Sequence, residues 1–190
     1  MKSKFIYSLT FSAVLLASGC SQNNENVYQT YDRPLNSVQA HVDARILATV
    51  IVLNKNEIAA AQEAQRKSSN PAVRSYAALM IREHSRNLQE TRNLAQKLGV
   101  RPEEGSAAIL LHKKGQHELA MLSGLQGRAF DKAYIGAMVK GHSEALHLID
   151  QKLLPQAYNP AVRRHLEILR SHVLMHLQQA KLVQQEISRH

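Results

Sequence analysis

The feature that most constrains this chain is a pentapeptide used twice, Asn70-Pro71-Ala72-Val73-Arg74 and Asn159-Pro160-Ala161-Val162-Arg163. Asparagine ahead of proline starts a helix for a mechanical reason. The Asn side chain caps free backbone N–H groups, and proline at the first helical position loses nothing by lacking its own. Proline also disfavours helical geometry in the residue before it, so the preceding helix has to have ended. Each NPAVR therefore marks the tight corner of a helical hairpin. Segments 38–67 and 71–98 form the first pair, and 129–155 and 160–187 the second. Low glycine, no tryptophan and few aromatics suit a helical bundle.

Residues 99–128 join the hairpins. Glycine and proline in LGVRPEEG stop one helix, a shorter helix follows through SAAILLHKKGQHELAMLSGL, and Gly124 and Gly127 break it. A connection of that length crosses the bundle from end to end. The expected fold is all-α, a ferritin-like four-helix bundle of two hairpins with a long helical crossover.

Helical periodicity selects the residues that face the core. The second long helix offers Val73, Ala77, Met80, His84, Leu88, Thr91 and Ala95; the third Ile135, Met138, His142, Leu146, Ile149 and Leu153. The fourth offers Val162, Leu166, Leu169, Val173, His176, Ala180, Val183 and Ile187. Each stripe carries one histidine. The first helix offers Ile46, Val50, Leu53, Glu57, Ala61 and Ala64, with Glu57 its one charge. Glu57 precedes Asn70 by 13 residues and His84 follows it by 14, while His142 and His176 each lie 17 from Asn159. At about 1.5 Å per residue these are depths of roughly 20 and 25 Å. With both corners at one bundle end, all four groups fall near a common level. Glu57, His84, His142 and His176 read either as ligands for one transition-metal ion (zinc, iron or copper) or as a structural polar layer. An uncompensated buried carboxylate requires a partner in both cases.

Five further histidines, His112, His117, His147, His165 and His172, fall off the stripes or in the crossover and are expected at the surface. Met80/His84 and Met138/His142 repeat M-x-x-x-H, which suits a soft ion or, more simply, core filling by methionine. Glu144-Ala-Leu-His147 is the one E-x-x-H. Lacking a twin and lying off the stripe, it argues against a ferritin-type di-iron site.

The N-terminus carries a positive MKSK, an apolar FIYSLTFSAVLLA too short for an ordinary membrane span, and LASGC ending at Cys20, the only cysteine. This resembles a bacterial lipoprotein signal, removed after residue 19, with Cys20 then carrying the lipid. Under the sorting rule for such proteins, Ser21 implies the outer membrane, facing the periplasm. Residues 20–35 are polar and aperiodic, a flexible linker, and 36–190 form the helical domain. Loss of Lys2 and Lys4 lowers the formal charge from +9 to +7. Export removes nucleic acid as a partner and leaves anionic envelope polymers or another envelope protein.

The stretches NEIAAAQEAQRKSSNPAVRSYAALMIREHS, FDKAYIGAMVKGHSEAL and HLQQA resemble a ferritin-like bacterial envelope family, domain of unknown function 4142, over about residues 40–185. The most specific parts are Glu83-His84, the Phe130-Asp131…Tyr134…His142 string and His176-Leu177. Members more often have Asp at the position of Glu83. The resemblance implies the four-helix fold and an exported protein, with no activity attached. Asp131 reads locally as a first-turn residue suited to the helix dipole, well away from His142.

Three functional classes remain. The first is a non-catalytic, lipid-anchored binding module with a possible core metal site. The second is a metal-dependent periplasmic oxidoreductase of ferritin-like type, and the third a purely structural helical interaction protein. The sequence holds no glycine-rich phosphate loop, Ser-His-Asp context or redox thiol pair, and this favours the first.

Overall fold

A computed structural model of the chain describes residues 36–189. The expectations for the signal, for Cys20 and for the linker lie outside the described residues. Those described form α1 (Ser37–Lys67), α2 (Pro71–Lys97), α3 (Ser106–Ser123), α4 (Gly127–Leu148) and α5 (Pro160–Arg189). A π-helical stretch, Ile149–Leu153, and a last turn, Leu154–Gln156, extend α4. Pro155 explains the π stretch. Its ring crowds the carbonyl four residues back, at Gln151, and the helix widens to relieve it.

Both NPAVR corners form as their chemistry dictates. Asn70 Oδ1 accepts from the N–H groups of Ala72 and Val73 at 2.9 and 3.3 Å, and Asn159 Oδ1 accepts from Ala161 at 2.8 Å. The repeated arginines also do one job. Arg74 donates to the Ser68 carbonyl and Arg163 to that of Ala157, each six residues back, where the preceding helix leaves carbonyls unpaired. Val73 and Val162 are fully buried. The Asn cap, the buried valine and the arginine of the pentapeptide thus recur at both corners.

The corners lie at opposite bundle ends, which corrects the expectation that they share one. Asp43, near the start of α1, accepts from the N–H groups of Tyr158 and Asn159 at 3.0 and 2.8 Å and so holds the second corner there. At the far end of α1, Lys67 donates to the carbonyls of Leu122 and Ser123 at 3.0 and 2.6 Å and lies over the Phe130 ring. That lysine ties the end of the crossover helix to the first corner. In order, α1 runs up, α2 down, α3 back up as the crossover, α4 down and α5 up, the ferritin-like arrangement. Around the bundle α1 packs on α2, α2 on α5, α5 on α4 and α4 on α1, and α3 lies against α1 and α4. Gly115 lets α3 approach closely, because a side chain there would collide with the Asn56 amide.

Two apolar clusters fill the interior. The upper contains Tyr76, Met80, Phe130, Tyr134, Ile135 and Met138, and the lower contains Leu47, Val50, Ile149, Leu166, Leu169 and Val173. A polar layer lies between them.

Candidate metal centre

That layer is built on three helices. His84 from α2, His142 from α4 and His176 from α5 are only 1–2 % exposed. Their ring centroids form a near-equilateral triangle with sides of 5.1, 5.6 and 5.8 Å. One ring nitrogen of each lies within 4.8 Å of the others. They meet although the corners are at opposite ends, because the site is central. Fourteen residues down from the first corner and seventeen up from the second together span the 31 residues of α1, about 46 Å.

The hydrogen bonds fix two of the tautomers. Asn54 on α1 is fully buried and spends both amide hydrogens, on the Val50 carbonyl and on Asn87 Oδ1, each at 2.8 Å. Its Oδ1 is left to accept from His84 Nδ1 at 2.9 Å. His142 Nδ1 donates to the Met138 carbonyl, one turn back, at 2.8 Å. With Nδ1–H committed in both rings, each Nε2 carries a bare lone pair. Both Nε2 atoms are buried without a hydrogen-bond partner among the described residues, as are both ring nitrogens of His176. Outer acceptors that orient imidazoles in this way are the usual support of a metal-binding histidine.

Burial keeps the His84 and His176 rings neutral. Burial lowers His84 well below the ordinary histidine range, and His142, His176 and His172 push it the same way. Burial, then His142 and His172, lower His176 to about 3. At neutral pH these rings therefore have lone pairs to offer. Zinc–nitrogen bonds of about 2.0–2.1 Å at tetrahedral angles place ligand nitrogens about 3.4 Å apart, so the trio would close by at most about 1.4 Å to grip an ion.

Glu57, the fourth expected member, is not in the cluster. It lines a separate cleft of about 260 Å³ between α1, α3 and α4, with Glu118, Glu144 and Leu110. Glu57 Oε2 is buried there without a partner, and burial and then Glu57 raise the Glu118 carboxyl. Glu144 faces outward and pairs with Lys114, in keeping with the argument against a di-iron site. Met80 and Met138 belong to the upper apolar cluster.

Two histidines expected at the surface are not simply there. His165 is 8 % exposed and bonds Thr91 at 2.8 Å, while His172 is partly buried. Asp131 also departs from expectation. Because α4 begins at Gly127, Asp131 lies beyond the first turn, buried. Asn54 was missed altogether, although a polar side chain four residues after Val50, inside the run ATVIVLN, was available as a signal.

The fold and this layer define an all-helical, ferritin-like bundle with three core imidazoles turned towards one another. The chain belongs to the family described as domain of unknown function DUF4142, which it matches over residues 32–183. It is similar in structure to a Streptomyces coelicolor protein described as secreted and assigned to DUF305. The TM-score is 0.65 at 11 % identity, covering 77 % of this chain and 94 % of that one. Such an identity speaks to the fold alone. Among curated proteins none matches significantly. No helix among the described residues is long and apolar enough to cross a membrane.

Proposed function

We propose that this protein is a non-catalytic, lipid-anchored envelope module that holds one transition-metal ion on His84, His142 and His176. The observation that carries the reading is the set of unpartnered ring nitrogens, on three buried rings whose ligand atoms lie within 4.8 Å of one another. Three imidazoles suit zinc, copper or iron, and three protein ligands leave a fourth position for water. Three-ligand sites of this kind also serve catalysis, but rings only 1–2 % exposed are sealed from bulk solvent, which favours holding the ion over turning a substrate over. Anchoring through Cys20 at the outer membrane draws on the LASGC signal and on the fold shared with a protein described as secreted.

The test is elemental analysis of protein purified from its native envelope, beside His84→Ala and His142→Ala. Near one ion per chain in the wild type and almost none in the variants is the expected result. No ion in any of them, with the variants merely less stable, would make the layer structural.

A second reading, a helical interaction protein, draws on Ile168, Met175 and Leu182. These lie seven residues apart on α5 and are 41, 38 and 64 % exposed. Sedimentation of the wild type beside Leu182→Glu decides it. An association lost in the variant supports docking through α5, and two monodisperse monomers dismiss it.

A further inference from the structure

An ion bound to the trio has to cross protein to reach it. On the upper side the way is closed by Tyr76, Met80, Tyr134 and Met138, all at most 3 % exposed. The seam between α2 and α5 has a different character. From His84 towards its C-terminus α2 presents Asn87 and Thr91, at steps of three and four. From His176 towards its N-terminus α5 presents His172 and His165, at steps of four and seven. These spacings keep each row on one helix face.

Thr91 Oγ1, within 2.8 Å of His165 Nε2, holds the two rows together. The Thr91 hydroxyl already donates to the Asn87 carbonyl at 2.7 Å, so it accepts from His165, whose Nε2–H is committed. His172 lies between His165 and His176 along this face. It is partly exposed and bears no hydrogen bond among the described residues, and it is near enough to act electrostatically on His84, His165 and His176. Asn87 Nδ2, also buried, has no partner either. A helix seam selected for stability alone would carry leucine here, since half-satisfied polar groups weaken a core.

Resting on the three-histidine reading, we propose that His172 is the landing ligand of that centre. It takes an imidazole-seeking divalent ion from solvent at the α2/α5 seam and passes it one helical turn inward to His176 and His84. His172 is then a ligand on the route and no part of the final site. Its loss changes rates in both directions and leaves the equilibrium alone.

The experiment uses the full-length protein in detergent, stripped with a chelator and mixed rapidly with Co2+, whose visible absorption reports a four-coordinate site. His172→Ala and His172→Gln are expected to load about tenfold more slowly, the effect of a modest rise in barrier. Release to a chelator slows by the same factor, and the final stoichiometry is that of the wild type. His147→Ala, which alters an exposed histidine on α4, loads normally. Wild-type loading by both His172 variants overturns the proposal. So does slowing by Glu57→Gln in their place, which would put the route through the α1/α3/α4 cleft. No uptake by the wild type overturns the three-histidine reading itself, an outcome distinct from both.

Discussion

Acid should unfold the metal-free protein through its buried histidines, at a pH where most proteins are still comfortable. In the unfolded chain His84 and His176 titrate near the ordinary value of about 6.5. In the fold, burial and the neighbouring imidazoles lower both, His176 to about 3. Between those limits the unfolded state binds protons that the native state refuses. The sign follows directly. The penalty is absent above about pH 6.5, grows as pH falls, and levels off only once the native rings themselves protonate. Each refused proton costs about 1.4 kcal/mol per pH unit, so two give a slope of about 2.7 kcal/mol per unit. From pH 6.5 to 5 the loss from these two is about 3 kcal/mol, a large share of the 5–15 kcal/mol that typically holds a domain together. His165, also lowered by burial, adds to the loss, while Asp43 and Glu118, whose carboxyls burial raises, act in the opposite sense. Urea unfolding in chelator at pH 7.5, 6.5, 5.5 and 5 measures the slope, with His176→Leu expected to lower it by about one proton's share. A flat profile, or a full slope in His176→Leu, would refute the claim that these rings are buried and neutral.

Other outcomes follow from the same geometry. Asp43→Ala removes the acceptor for two N–H groups at the second corner and should cost about 1–3 kcal/mol, read as a lower urea midpoint at unchanged slope. Gly115→Ala drives a methyl group into the Asn56 amide and breaks its 2.8 Å bond to the Leu111 carbonyl, so it should destabilise the wild type. In an Asn56→Ala background the same change should instead stabilise by up to about 1 kcal/mol, the helix propensity of alanine over glycine. Saturating zinc at about 100 times its dissociation constant should add about 2.7 kcal/mol to wild-type stability and nothing to His84→Ala.

The sequence made the corners legible because their chemistry is local: Asn, Pro, Val and Arg each act within a few residues of their own position. Three core histidines were also legible, since α2, α4 and α5 each have one dominant buried stripe. α1 does not. It is covered by α2, α3 and α4, and Asp43 to Val50 is buried with hardly a break. A one-stripe reading cannot choose between Asn54 and Glu57 on such a helix. The stripe followed above passes through Glu57 and misses Asn54, where the structure puts the amide beside His84 and the carboxylate in the cleft. The common depth was correctly anticipated from a mistaken topology, because positions near the midpoint coincide whichever end is counted from. Asp43 had no local signature at all, its partners being 115 and 116 residues away.

The inverted placement of the two corners has a consequence for assembly. Two hairpins of nearly equal length, docked so that their bends point opposite ways, are related by an approximate two-fold axis through the middle of the bundle. Positions near the midpoints of their helices meet on that axis. The first hairpin brings one imidazole there and the second brings two. Neither half holds a complete centre, so an ion captured by all three is a clasp between halves, formed only after each hairpin has folded and the crossover has brought them together. Such a clasp adds little to the folding of either hairpin. It acts on their separation and lengthens the time the assembled bundle stays closed.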